Sequence, residues 1–328
     1  MLNRSRKITH PQSVEIITPL LVPSFSSKGF YESKAINELP WIFKNTVDKI
    51  TEAFLISAFD INCGYLNLPE NATTDVVILD SGGYEVLDCW DESEVFKEQK
   101  ASLNTWSVDK LKAIINTWPD YIPCIFVSFD CYQDNLSFSE QVALAMDLFN
   151  GITKQMKLLL IKPENTSSNH IDIDKLVNVD IQINEFDVVG LAEKQLGSSI
   201  LERMINISKL RNWIDKKGKY QPIHIFGSLD PISVALYYYS GAEIFDGLSW
   251  LKYSYQDHIA CYHANASCIN DMIDVPLWEC KLRNSIANLE VIKSFKRKLI
   301  HATQFNDTTV LPESVTLLLK KYASHIGG

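Results

Sequence analysis

Short, almost wholly apolar runs alternate with amphipathic stretches along most of this chain. Runs over 53–59, 75–79, 124–129, 157–161, 186–189, 222–226 and 243–245 carry few polar residues, and several are followed at once by an aspartate or a glycine. Strands buried on both faces, as in a parallel sheet, read this way. The stretches between them have helical spacing. A helix is expected over 32–51, and Ser107 caps another that Pro119 stops after Trp118. Ser137-x-x-Glu140 is a capping box predicting a helix to about residue 155. Ser199-x-x-Glu202 opens one whose apolar positions Ile200, Met204, Ile207, Leu210 and Ile214 share a face, with Gly218 as its stop. Asp230-Pro231 starts a helix to Ser240, and Gly241 ends it.

Some stretches are irregular. The apolar run 14–23 contains Pro19 and Pro23, which suggests a short strand or hairpin ending near the first and an extended piece ending near the second. The polar stretch 164–184 predicts a short helix near 174–177 and a weak strand, and residues 1–12 read as a flexible arm. About eight strand–helix units fit between 14 and 250, which predicts an α/β fold of the (β/α)8 TIM-barrel type over 13–252. The rhythm breaks after that. Residues 253–328 read as an irregular, helical C-terminal extension packed on the barrel: a Cys/His-containing segment (253–280), a helix over 281–300 and another over 312–324.

Composition narrows this picture only slightly. With 328 residues and 46% hydrophobic content, the chain can bury one large core. A net charge of −9 argues against a general polyanion-binding surface but leaves room for a local basic patch. Lys293, Lys296, Arg297 and Lys298 are the candidate patch for phosphates, or else a solvated helix face. Seven scattered cysteines predict reduced thiols and a cytoplasmic protein. No eighteen-residue apolar run is present, so no membrane span is expected, and residues 1–10 lack the apolar core of a secretion signal.

The chemistry gathers at strand ends. In a barrel of this kind the C-terminal ends converge on one face, where active sites sit. Asp80, Asp130 and Asp246 each follow an apolar run directly. One such aspartate is ordinary turn or N-cap chemistry. Three on one face repel one another, and sites accept that cost where carboxyl pKa values must be driven apart. Two carboxylates can then divide nucleophilic and acid/base work at a sugar C1′.

These residues also carry a family resemblance. Asp80-Ser81-Gly82-Gly83-Tyr84 resembles the Asp-Ser-Gly-Gly-aromatic motif of the tRNA-guanine transglycosylases, and matches follow in order along the barrel. Thr18-Pro19 with Val22-Pro23 is similar to the opening strand, and Ser128-Phe129-Asp130 to the base-recognition strand end. Val189-Gly190-Leu191-Ala192 is similar to a backbone clamp, Ile225-Phe226-Gly227 to a Leu-Met-Gly segment, and Gly241-x-x-x-Phe245-Asp246 to the nucleophile segment. Lys252 stands where the family has an arginine that contacts nucleic acid. The resemblance implies replacement of guanine by a 7-deazaguanine base in nucleic acid, tRNA or DNA. It casts Asp246 as nucleophile and Asp80 as general acid/base. Tyr84 and Phe226 would sandwich the base; Asp130 would accept its N–H edge. Ser81, Gly82, Gly83, Gly190, Leu191, Ala192 and Gly227 would line the base pocket.

The chain also departs from that pattern. The family's Cys-x-Cys-x-x-Cys zinc cluster is missing, and no cofactor is firmly implied. Cys261, His263, Cys268 and Cys280 are four soft ligands that could replace it, or buried thiols with a surface histidine. The strand ending Ile161-Lys162-Pro163 lacks a Gln-Gly-Gly, leaving Lys162 to reach a phosphate or to lie exposed, and Glu85 follows Tyr84 where the tRNA enzymes carry glutamine. These departures bear on the nucleic-acid platform more than on the base chemistry, so the branch acting on DNA is an alternative to a divergent tRNA enzyme. Other expectations are a non-catalytic, transglycosylase-like subunit working with a partner or a second copy, and a barrel hydrolase of nucleosides or glycosides. Retention of both Asp80 and Asp246 favours catalysis.

Overall fold

The computed structural model describes residues 5–29, 32–67, 73–86, 106–132 and 134–326. A short antiparallel hairpin, β1 (Lys7–Thr9) and β2 (Glu15–Ile17), leads into eight parallel strands. They are β3 (Leu20–Phe25), β4 (Ala53–Ser57), β5 (Val76–Asp80), β6 (Cys124–Val127), β7 (Met156–Ile161), β8 (Val188–Ala192), β9 (Ile223–Phe226) and β10 (Ile244–Gly247). Their order, β10-β3-β4-β5-β6-β7-β8-β9, closes on itself, so the chain is a (β/α)8 barrel.

Helices connect the strands: α1 (Glu32–Thr46), α2 (Ala58–Asn62), α3 (Gly83–Val86), α4 (Val108–Thr117), α5 (Phe138–Leu148), α6 (Ile173–Leu176), α7 (Ile200–Lys216) and α8 (Pro231–Ser240). The expected caps are in place. Ser107, Ser137 and Ser199 accept the N–H of residue N3, Asp230 accepts from Ile232 and Ser233, and Ser137 with Glu140 completes the capping box.

Several expectations fail for identifiable reasons. Pro23 does not end an extended piece; it lies inside β3. That strand pairs with β10 over Leu20–Pro23 and with β4 only from Ser24 onward, so the proline's missing N–H falls where no β4 partner stands. Helix α5 stops at Leu148, well short of 155. Gln155 is used differently: its side-chain amide accepts from Cys124 N (2.8 Å) and donates to Ile122 O (3.1 Å), pinning the start of β6. Helix α1 ends at Thr46 in a 3-10 turn, and 164–184 holds the short helix α6 and a 3-10 turn at Ile183–Glu185 in place of a strand.

The expected flexible arm is also corrected. Residues 1–4 lie outside the described residues, but β1 and β2 dock across the N-terminal end of the barrel. Ile8 and Ile16 pack against Leu20, Ala53, Val76, Met156, Val188 and Ile244, the deepest interior residues of their strands. His10 is buried; its Nε2 donates to Cys124 O (3.0 Å) and its Nδ1 accepts from Gln12 N (3.1 Å). At this end Glu243 is also buried and fully partnered, accepting from Ile223 N (2.9 Å), Tyr220 Oη (3.2 Å) and Arg211 Nη1 (3.3 Å).

The extension begins with α9 (Ser249–Lys252), a hairpin of β11 (Ser254–Gln256) and β12 (Ile259–Cys261), and α10 (His263–Ile269). Two long helices, α11 (Leu277–Gln304) and α12 (Glu313–Ile326), complete it. α11 lies along the barrel wall against β3, α8 and α9, as the helix of an eighth unit would. Its Asn288 donates to Trp250 O and Tyr253 O and accepts from Tyr255 N, each at 2.7 Å. No helix among the described residues is long and apolar enough to cross a membrane.

Candidate active site

Side chains alternate along a strand, and those of one parity fill the barrel. Leu20 and Val22, Ala53 and Leu55, Val76 and Ile78, Leu158 and Leu160, Val188 and Ile244 form that filling. Further along the same parity, at the C-terminal mouth, stand Ser24, Ser57, Asp80, Lys162 and Asp246, with Ala192 and Phe226 ending β8 and β9 on the same face. An apolar column thus ends in a polar layer, and both proposed catalytic aspartates belong to it.

Asp246 is held by three donors. Ser24 Oγ donates to Oδ2 (2.7 Å), while His224 Nε2 (3.0 Å) and Gly227 N (3.3 Å) donate to Oδ1. Asp80 ends β5 and, among the described residues, accepts only a long hydrogen bond from Gly82 N (3.2 Å). Burial pushes its carboxyl well above the usual carboxylate range, and the charges of Glu85, Asp130 and Asp246 push it further.

The Ser-Gly-Gly turn after Asp80 has no room for side chains at its glycines. Gly82 has φ +89°, and a Cβ there would lie 2.8 Å from Phe59 Cβ and 2.9 Å from Trp106 Nε1. Trp106 secures the turn by donating to Ser81 O (2.9 Å). A Cβ on Gly83 would fall 2.1 Å from Asp130 Oδ1. The second glycine therefore lets Asp130 reach across from the β6 end, where its Oδ1 accepts from Ser81 Oγ and its Oδ2 pairs with Lys162 Nζ (2.9 Å). Lys162 thus neither reaches outward for a phosphate nor lies exposed. Burial disfavours its ammonium, but Asp130, Cys131 and Asp80 outweigh that and hold its pKa above the ordinary lysine value.

Beneath the mouth lies a second acidic pair: Glu85, which stood out in the sequence beside Tyr84, and Asp60, which did not. Glu85 is buried, accepting from Ser26 Oγ (2.5 Å) and Ser57 Oγ (2.8 Å), so it braces the ends of β3 and β4 from inside the wall. Asp60, on α2, accepts from Ser27 N (2.8 Å). Each is pushed up to about 7. Burial is the main cause for both, reinforced by Asp60 in the case of Glu85 and by Asp80 in the case of Asp60.

The two proposed stacking rings each have a protein partner on one face. Lys28 Nζ sits 4.5 Å from the centroid of Tyr84, and His224 stacks on Phe226 at 3.9 Å and 23°. Gly190 makes room for Phe226, since a Cβ there would be 2.6 Å from the ring. The backbone clamp expected at Gly190, Leu191 and Ala192 is largely committed to the sheet. Gly190 and Leu191 pair with β7 and β9 alike, Leu191 points into the outer core, and only Ala192, paired with Phe226 alone, ends the strand. Gly227 follows β9 and reaches Asp246 as described; Lys252 ends α9, half-buried.

The metal set does not assemble. His263 Nε2 donates to Leu251 O (2.9 Å), and its Nδ1 faces Asn284 Nδ2 (3.4 Å). Cys280 is buried against the carbonyls of Met272 and Val275, Cys268 is exposed, and Cys261 is half-exposed on β12. Among the described residues no group of three or more His, Cys, Asp or Glu is placed to hold a metal ion. The residues present do not fit zinc.

The basic patch is also dispersed. Lys296 pairs with Glu52 (2.9 Å), just before β4 and so at the barrel end away from the site; Lys293 pairs with Glu290 (3.3 Å), and Lys298 lies 3.4 Å from His258. Sequence reasoning missed His224, Ser24 and Asp60 as parts of the site; it singled out Glu85 beside the pocket but not its buried place between two serines. Strand parity could have found the first two, since each shares its face with a site residue on its own or a neighbouring strand.

The mouth therefore presents one carboxyl biased toward its acid form, one carboxylate fixed by three donors, and a lysine–aspartate pair beside them. That set can protonate a leaving group while attacking the carbon it leaves. A scan against protein-family models and a search of curated proteins both find no match for the chain.

Proposed function

We propose that the chain is a base-exchange transglycosylase that replaces guanine with a 7-deazaguanine in nucleic acid, through a covalent glycosyl ester on Asp246. The observation that carries this reading is the contrast between Asp80 and Asp246 within one polar layer: the first is biased toward its protonated form, the second is held by three donors. That division is what displacement at a glycosidic carbon needs. Asp80 gives its proton to the departing base as Asp246 attacks C1′. In the second half the incoming base displaces the ester and returns a proton to Asp80. Asp130 retains a lone pair beyond those used by Ser81, Lys162 and the Cys131 thiol, enough to accept an N–H from a base edge.

Incubation with labelled guanine and either tRNA or duplex DNA tests the reading. The expected result is label entering one of the two nucleic acids with wild-type protein, and none with Asp80→Ala or Asp246→Ala. Release of base with no label incorporated would point to a hydrolase. Absence of both activities, with the protein folded, would favour a non-catalytic subunit.

A further inference from the structure

His224 is one of the three donors on Asp246, but no step above gives it a role of its own. It lies on β9 opposite Ile244 of β10 and Gly190 of β8, among apolar residues, and is fully buried. An imidazole in such a place normally has both nitrogens partnered or gives way to an apolar side chain. Here Nε2 faces Asp246 Oδ1 at 3.0 Å, while Nδ1 has no partner among the described residues. A carboxylate offers only acceptors, so Nε2 carries the hydrogen. Phe226, stacked on the imidazole at 3.9 Å, and the missing side chain at Gly190 that admits that ring together fix the plane of the imidazole.

We propose that His224 is a positioning residue that selects which oxygen of Asp246 attacks. This rests on the base-exchange reading and deepens it. Oδ1 is held by two donors in rigid places, a stacked imidazole and the backbone N–H of Gly227; Oδ2 has only the rotatable hydroxyl of Ser24. Oδ2 is therefore the nucleophile. As its bond to C1′ forms, the C1′–N9 bond breaks, its electron pair goes to N9, and Asp80 supplies the proton. Oδ1 becomes the carbonyl oxygen of the ester, still polarised by His224 and Gly227. In the reverse half, N9 of the incoming base bonds to C1′ and loses its proton to Asp80. The electron pair of the C1′–Oδ2 bond returns to Oδ2, and the same donors receive the regenerated carboxylate. His224 neither gains nor loses a proton in this scheme; it is a fixed donor.

The test compares wild type, His224→Leu and His224→Gln in base exchange, alongside nitrogen NMR of the imidazole in wild type and Asp246→Asn. Leucine should lower kcat about 100-fold with KM within about twofold, the loss typical of one preorganised donor. Glutamine, whose amide can place an N–H near the Nε2 position, should recover most of it, which a packing role alone would not produce. The NMR should show the Nε2–H tautomer in wild type and a displaced signal in Asp246→Asn. Wild-type kcat in His224→Leu, equal losses in the leucine and glutamine variants, or a His224 signal indifferent to Asp246→Asn would each overturn the proposal. If leucine prevents folding, the glutamine variant and the NMR decide. If wild type exchanges no base while the NMR shows the coupling, the base-exchange reading fails and the assignment of His224 as the fixed partner of Asp246 stands.

Discussion

The two ends of strand β10 show how one barrel treats a buried carboxylate in two ways. At the N-terminal end Glu243 has an arginine, a phenol and a backbone N–H around it. Three residues later, at the C-terminal end, Asp246 shares its layer with Asp80, and Asp130 and Glu85 act on the same aspartate. The histidines repeat the contrast. His10, in the loop of the hairpin, has both ring nitrogens bonded, while His224 has one nitrogen on a carboxylate and the other unpartnered among the described residues. At the end that holds the barrel shut, the buried carboxylate Glu243 and the imidazole of His10 are both paired. Incomplete pairing and crowded like charges mark the end where proton positions can change.

This contrast can be broken most severely by truncating the aspartates. Asp246→Ala and Asp80→Ala should each reduce base exchange by at least about 10³-fold, in line with losses of catalytic groups that act as a unit. Circular dichroism and the melting temperature should stay close to wild type. An equally large drop in stability would mean that these groups serve the fold.

The reverse outcome is expected at the closed end. Ile16 is buried beneath the hairpin, and Ile16→Ala should cost about 2–5 kcal/mol in denaturant unfolding while leaving kcat unchanged. A fall in kcat with little change in stability would show that the two ends are not separate in function.

Titration should sharpen the comparison, because the ends respond to pH with opposite sign. Glu85 and Asp60 are raised to about 7, so between about 4.5 and 7 the native state binds more protons than the unfolded chain. Their contribution is fully present at low pH and fades as pH rises through 7, by roughly 3 kcal/mol for Glu85 from its rise to about 7. Glu85→Gln should flatten the decline of stability between pH 5 and pH 8, measured by chemical denaturation. His10 is lowered, mainly by burial against the opposing effect of the Cys124 carbonyl, so its contribution is present above 6.5 and lost on acidification. His10→Gln should soften the acid limb and leave the decline above pH 7 untouched.

The smallest effect is expected at Gly83. Alanine there meets Asp130 at 2.1 Å, and relieving that clash should cost about 1–3 kcal/mol of stability. Displacing Asp130 from Ser81 and Lys162 should raise KM for nucleic acid more than it lowers kcat. Unchanged kinetics would remove Asp130 from base recognition.

Much of this was legible in the sequence because it is local. Apolar runs followed at once by a carboxylate, serine caps and glycine stops each act within a few residues, and the barrel follows from their alternation. What stayed hidden depends on neighbours distant in the chain. Pro23 reads as a strand breaker until β3 is seen to lack a β4 partner at that position. His224 sits between Ile223 and Ile225 and reads as core until β10 brings Asp246 beside it. Glu85 is one residue from Tyr84, yet its side chain turns inward to two serines from other strands. The Cys/His segment misled because suitable ligands were close in sequence while the fold gave His263 to a backbone carbonyl and buried Cys280 elsewhere.

The central claim, that Asp246 becomes covalently bonded to the sugar while Asp80 protonates the departing base, is tested most directly by trapping. Wild-type protein mixed with its nucleic acid and quenched in denaturant should yield a protein–nucleic acid adduct whose mass maps to the peptide containing Asp246. The adduct should disappear on adding excess base and be absent from Asp246→Ala. An adduct on another residue, or base release by wild type with no adduct at any time point, would contradict the account.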